Sequence, residues 1–120
     1  MRVLLVEDND DSRDLFRHML EKLGHQVVEA VNGKDAIKVA LKHTPELIIM
    51  DLSMPEVDGF QAASALRSIK TFSQVPILAI TAYPKSLWRD KAEDAGCDGF
   101  LQKPFTREDL SAALDKLIAA

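Results

Sequence analysis

Leu47-Ile48-Ile49-Met50 is apolar at four consecutive positions and runs directly into Asp51. A strand with one wet face alternates apolar and polar residues. An unbroken apolar run bounded by turns reads instead as a strand buried on both sides, as in a parallel sheet covered by helices. The pattern recurs on either side. Val3-Leu4-Leu5-Val6 is a second such run, and Ile77-Leu78-Ala79-Ile80 a third, with Pro76 at its first position, where a missing N–H is tolerated. Gln26 to Val31 forms a more polar strand closed by an Asn32-Gly33 turn, and Phe100-Leu101 sits in a short strand near the end. Helical spacing fills the gaps. Leu15, Phe16, Met19, Leu20 and Leu23 precede Gly24, and Ala36, Ile37, Ala40 and Leu41 precede Pro45. Ala62, Ala65, Leu66 and Ile69 mark the next helix, then Leu87 or Trp88 with Ala92 and Ala95 before Gly96. Thr106-Arg107-Glu108-Asp109 is a capping-box-like start for the last helix, whose stripe is Leu110, Leu114, Leu117 and Ile118.

Five strands alternating with five helices predict an α/β fold, a doubly wound parallel sheet with helices on both faces. For 120 residues the expected arrangement is flavodoxin-like, strand order 2-1-3-4-5. That order comes from what folds of this size do, not from periodicity. The length predicts one domain spanning 1–120. Hydrophobic residues at 47% and charged residues at 28% are enough to build a core and exclude a disordered chain. No apolar run approaches the roughly 20 residues of a membrane helix. Met1-Arg2-Val3-Leu4-Leu5-Val6 runs straight into Glu7-Asp8 with no leader pattern, and Cys97 is the single cysteine, so a reducing cytoplasm is the expected compartment. The net charge of −4 carries no basic block, which argues against direct nucleic-acid binding.

In open α/β sheets, chemistry collects beyond the carboxyl ends of the strands, near the point where strand order reverses. Reading the residue just past each strand gives Glu7 and Asp8 after the first, Asp51 after the third, Thr81 after the fourth and Lys103 after the fifth. In the expected order those strands are neighbours about 4.8 Å apart, so the five side chains form a row on one rim. Glu7 and Asp8 belong to a run in which Asp10, Asp11 and Asp14 also fall, with only Arg13 to offset them. The later three suit a helix N-terminus; the first two lie at the strand end. Three carboxylates against one ammonium leave two negative charges, which one hard divalent cation such as Mg²⁺ neutralises. Asp51 follows core residues, an expensive place for a bare charge. It serves either as a salt-bridge partner for Lys103 or as a nucleophile that takes a phosphoryl group. A metal, a lysine and a hydroxyl supply the positioning and charge neutralisation that phosphoryl transfer needs.

With those residues in place, the chain resembles the receiver domains of two-component response regulators over essentially its whole length. The likeness is carried by Val6-Glu7-Asp8-Asn9, by Asp51-Leu52-Ser53-Met54-Pro55-Glu56-Val57-Asp58-Gly59, by Thr81-Ala82 and by Lys103-Pro104-Phe105. The resemblance implies that Asp51 accepts phosphate from a histidine kinase or histidine phosphotransfer protein. It implies Mg²⁺ ligation by Asp8, Asp51 and the Ser53 backbone carbonyl, Glu7 acting through water, and a cis peptide at Lys103-Pro104. Glu7 stands where aspartate is more frequent and keeps the charge on a longer arm. The resemblance further implies a switch in which Thr81 moves towards the phosphate and Phe100 turns inward, changing the face formed by the fourth helix, fifth strand and fifth helix. It also implies that Ser53 and Tyr83 flank the path of attacking water and set phosphoryl-group lifetime. A downstream protein or an output domain would read that face, and a phosphorylation-dependent homodimer would use it; no output domain is expected within 1–120.

The alternatives are a phosphate-independent interaction module on the same fold, and a Mg²⁺-dependent phosphohydrolase. One class of the latter needs a second aspartate where Ser53 stands. The expectation is a signalling switch that assists its own phosphorylation and dephosphorylation, not a metabolic enzyme. His18, His25 and His43 have no metal-ligand spacing and read as surface residues, Cys97 as a small packed residue, and Trp88 as part of a half-solvated helix face.

Overall fold

A computed structural model describes residues 1–52 and 59–119. The strands are β1 (Arg2–Val6), β2 (Gln26–Ala30), β3 (Leu47–Asp51), β4 (Ile77–Thr81) and β5 (Gly99–Gln102). The helices are α1 (Asp10–Lys22), α2 (Gly33–His43), α3 (Gly59–Ser68), α4 (Lys85–Asp94) and α5 (Arg107–Ala119), with a 3-10 turn at Lys70–Phe72. The sheet order is β2-β1-β3-β4-β5 and every pairing is parallel, as expected.

Burial on both faces follows the alternation of each apolar run. Leu4, Val6, Ile48, Met50, Ile77 and Ala79 pack with Ala36 and Ala40 of α2, Ala62 and Leu66 of α3 and Ala92 of α4. Val3, Leu5, Leu47, Ile49, Leu78 and Ile80 pack with Phe16 and Leu20 of α1 and Leu110 and Leu114 of α5. The small alanines of α2 and α3 let those helices lie close against large strand residues.

Local signals end the helices where the sequence places them. The Asn9 side chain accepts from the Ser12 amide and caps α1, and Asn32 does the same for α2 through the Asp35 amide. Thr106 and Asp109 bond each other's backbone amides at 3.0 Å, a reciprocal cap for α5. Gly24 and Gly96 take positive φ values of 93° and 92° after α1 and α4.

Some expectations need correction. Leu15 and Leu41 are 54% and 57% exposed rather than part of the core stripes. Each is one position, about 100° of helix rotation, from a residue that does face the sheet, so the true stripes are narrower than the apolar spacing suggests. Val31 lies beyond β2 and is exposed, as is Ile118. The side chains of Leu87 and Trp88 lie outside the described residues, and with them the proposed Trp88 face. His18 is exposed, whereas His25 and His43 are half-buried.

The rim where the strands begin is held by a residue that the sequence does not advertise. Arg67, near the end of α3, donates to the carbonyls of Phe72, Ser73, Val75 and Gly96 at 2.8–2.9 Å and to the Asp98 carboxylate at 2.8 Å. The same Asp98 oxygen accepts from the Ile77 amide at 2.9 Å, tying the starts of β4 and β5 together. One guanidinium thus satisfies carbonyls from two loops that the sheet leaves unpaired.

At the opposite rim, α3 begins in contact with the end of β3. A Cβ on Gly59 would stand 2.2 Å from the Asp51 carbonyl oxygen and 2.7 Å from the Leu52 Cα, both backbone atoms with nowhere to go. Gly59→Ala is therefore expected to lower unfolding free energy by about 1–3 kcal/mol, the usual range for overpacking. A urea titration checks this, and an unchanged midpoint contradicts the close approach.

Candidate functional site

The strand register dictates which side chains meet. Val6 pairs with Met50 and Thr81 with Gln102, so the residues at and just beyond the four strand ends stand side by side. Among the described residues, the buried polar or charged side chains are Glu7, Asp51 and Thr81. All three belong to the row read from the strand ends.

Lys103 joins them. Its Nζ lies 2.8 Å from Glu7 Oε1 and 3.2 Å from Asp51 Oδ2. The lysine backbone amide donates to the Thr81 carbonyl at 2.7 Å, which extends the β4–β5 ladder by one bond. The Lys103-Pro104 peptide is cis, as the resemblance implies. Beneath the ammonium sits the ring of Phe16, with its centroid 5.6 Å from Nζ, and Phe105 stacks on Phe16 at 4.8 Å. The ammonium thus has an aromatic face on one side and carboxylates on the other.

Asp8 behaves differently from its neighbour. It is exposed, and among the described residues its carboxylate has no hydrogen bond or ion pair. Oxygens of Glu7, Asp8 and Asp51 nevertheless lie within 4.8 Å of one another. This donor set is all hard oxygen, with one carboxylate open to solvent and a net charge of minus two after Lys103. It fits Mg²⁺, which takes one or two carboxylates and keeps several waters. Ser53, whose carbonyl the resemblance adds to the ligands, lies outside the described residues.

Thr81 Oγ1 accepts from the Tyr83 amide at 3.1 Å, so the hydroxyl proton is directed elsewhere. The Tyr83 side chain is exposed at the mouth of the site. Phe100 is half-buried and packs against the cluster between the sheet and α2, α3 and α4. Cys97 is buried and its thiol is pushed up to about 12 by burial, which leaves it a packing residue.

A family model for the response regulator receiver domain matches residues 3–115. The chain belongs to that family. The receiver is 32% identical over 104 residues to the polar-differentiation response regulator DivK of Brucella anthropi, covering 87% of this chain and 85% of DivK. Its backbone superposes on the chemotaxis protein CheY4 of Vibrio cholerae with a TM-score of 0.92 at 31% identity, over 97% of both chains. It also matches the receiver domain of the sensor histidine kinase PA1611 of Pseudomonas aeruginosa. That match has a TM-score of 0.91 and 33% identity over 99% of this chain and 98% of the other. The PA1611 domain holds a magnesium ion coordinated in its active-site cleft. This chain has an acidic cluster of its own in Glu7, Asp8 and Asp51, and receivers as a family are signalling proteins rather than metabolic enzymes.

Two features of the site escape a reading of strand ends. The Phe16–Phe105 platform joins two residues far apart in sequence, although Phe105 closes the Lys103-Pro104-Phe105 motif. Arg13, read only as an offset to nearby acids, donates to the Glu7 carbonyl at 2.9 Å.

Glu7 is raised from its ordinary 4.5 to about 7, first by burial and then by its contact with Asp51, against the opposing pull of Lys103. Lys103 is itself raised: burial pulls it down, but Glu7 and Asp51 outweigh that. An acid whose folded pKa lies above its unfolded value holds more protons folded than unfolded, so stability falls as pH rises through that window. The metal-free receiver is therefore expected to lose stability from this group between about pH 4.5 and about pH 7. Glu7→Gln removes that component. Urea midpoints of both proteins across this range test it, and identical pH slopes contradict it.

Proposed function

We propose that this receiver is a phosphoacceptor switch: Asp51 takes a phosphoryl group from a histidine kinase or histidine phosphotransfer protein in the cytoplasm. The observation that carries the reading is Asp51 itself, a buried carboxylate at the end of the central strand, 3.2 Å from Lys103 and grouped with Glu7 and Asp8. Asp8 and Asp51 would hold Mg²⁺ together with the Ser53 main-chain carbonyl, and Glu7 would act through water. The bound ion supplies charge neutralisation for phosphoryl oxygens beside the nucleophile.

The chain's own residues do the rest. An Asp51 carboxylate oxygen forms the bond to phosphorus while the bond from phosphorus to the donor imidazole nitrogen breaks, and the imidazole leaves with the electron pair. Lys103 already stands between Glu7 and Asp51 and takes one phosphoryl oxygen with little movement. Thr81, whose oxygen is engaged by the Tyr83 amide, donates its hydroxyl proton to another. Drawing Thr81 inward opens room for Phe100, whose half-buried ring then shifts, and the α4–β5–α5 face changes with it. A downstream protein, an attached output domain or a second copy of the receiver reads that face. Such a reader is regulated only to the extent that it prefers one state over the other.

Intact mass after incubation with a small acyl phosphate tests the reading. One added phosphoryl group is expected on the wild-type chain with Mg²⁺, and none on Asp51→Asn or without metal. Folded, Mg²⁺-bound protein that gains nothing favours a phosphate-independent interaction module.

Tyr83 would flank the path of water to the acyl phosphate, its ring exposed and its backbone amide donating to Thr81. Tyr83→Ala is expected to change the phosphoryl decay rate at least about threefold while the urea midpoint moves little, in line with surface substitutions. Equal decay in the two proteins contradicts it.

A further inference from the structure

We infer that Arg13 is a positioning residue for the acidic edge of the site, holding the peptide between Glu7 and Asp8 so that the Asp8 carboxylate stands where a divalent cation is taken up. The inference rests on the Mg²⁺ reading above.

The argument begins with how Asp8 is held. Its side chain has no hydrogen bond or ion pair among the described residues, yet an oxygen of it lies within 4.8 Å of oxygens on Glu7 and Asp51. Among the described residues, what holds it in place is its main chain. The Glu7 amide is tied to the Ala30 carbonyl of β2 at 3.1 Å, so the chain enters the loop in sheet geometry. On the far side, Asn9 is fixed by its cap on the Ser12 amide and by the helix bond from the Arg13 amide to the Asn9 carbonyl. Between these anchors lies the Glu7–Asp8 peptide, and Arg13 Nη1 donates to its carbonyl at 2.9 Å. Rotating that peptide plane would swing the Asp8 side chain away from the cluster.

Arg13 is suited to this task. Its side chain is only 14% exposed. Nε donates to Glu29 Oε2 on β2 at 3.1 Å and Nη2 to Asp10 Oδ1, so three separate acceptors determine the plane of the guanidinium. The two carboxylates also neutralise its charge, which leaves the arginine holding the loop without repelling a cation beside it. Groups that orient metal ligands from behind are worth roughly 10–100-fold in metal affinity.

Arg17 provides the matched comparison. It sits one turn later on α1 and shares Glu29, at 3.4 Å, and it also pairs with Asp14 and Glu21. None of its ion pairs reaches the loop that carries Glu7 and Asp8. If the charged network serves only to fasten α1 to β2, the two arginines are equivalent; if Arg13 positions the loop, they are not.

The test is calorimetric titration of Mg²⁺ alone into the wild-type chain, Arg13→Ala, Arg13→Lys and Arg17→Ala, with a urea midpoint for each. Arg13→Ala is expected to weaken Mg²⁺ binding about tenfold or more. Arg13→Lys recovers part of that loss, because an ammonium reaches one acceptor but cannot span three. Arg17→Ala stays within about twofold of wild type, although its midpoint falls comparably to that of Arg13→Ala. Should Arg13→Ala lose its cooperative transition, Arg13→Lys against Arg17→Lys carries the comparison, with only the former binding Mg²⁺ more weakly. Arginine variants that bind alike overturn the inference and leave the Mg²⁺ reading standing. A wild-type chain that takes up no Mg²⁺ overturns both.

Discussion

Two buried carboxylates sharing one ammonium is the constraint on which this site depends. Glu7 and Asp51 are shielded from water, and their mutual repulsion is relieved by Lys103 from the far end of the chain. A buried ion group of this kind is a poor source of stability, because desolvation offsets most of the attraction. It persists here because several elements converge on it. The Phe16 ring, stacked on Phe105, lies under the ammonium, the Thr81 carbonyl receives the lysine amide, and the parallel order of β1, β3, β4 and β5 sets the spacing of the row. The arrangement keeps the Asp51 carboxylate beside an ammonium while Asp8 remains open to solvent.

The two rims of the sheet use polar groups in opposite ways. Where the strands begin, Arg67 and Asp98 saturate loop carbonyls and the Ile77 amide, leaving little that a ligand could displace. Where they end, the polar groups are side chains with spare capacity among the described residues: a carboxylate on Asp8 with no partner there, a hydroxyl proton on Thr81 and an ammonium divided between two acids. One rim is internally saturated and the other is not. The core between them is apolar on both faces, so it transmits no charge and serves as a rigid spacer.

Much of this was legible in the sequence because the signals were periodic or stood at strand ends. Unbroken runs such as Leu47 to Met50 report burial on both faces, and once the strand order is supplied by the fold the residue at the end of each run lands on one rim. The cap at Thr106 is readable because capping depends on residue type at a fixed offset, whereas the side-chain caps at Asn9 and Asn32 emerge only in the structure. What stayed hidden depends on contacts made through space. Leu15 and Leu41 share the apolar spacing of their neighbours, and only the width of the sheet-facing stripe excludes them from the core. The strand-end position of Glu7 does not show that it is fully buried; Lys103 and Asn9 give its two oxygens partners that lie on another element or in the loop. Arg13 and Arg67 donate to main-chain carbonyls, and a carbonyl acceptor carries no signature in the residue that supplies it.

The contact from Lys103 to Glu7 spans 96 positions and that to Asp51 spans 52. During synthesis the acidic residues leave the ribosome first, and their counter-charge arrives only with β5, when most of the chain is already made. Until then β1 and β3 can pair and bury their apolar faces, but the ends of both strands carry uncompensated charge at the place where they must approach. The step that completes the site and the step that relieves its repulsion are therefore the same event. Because it joins the most distant parts of the sequence, it bears the largest loop-closure entropy of any contact in the site.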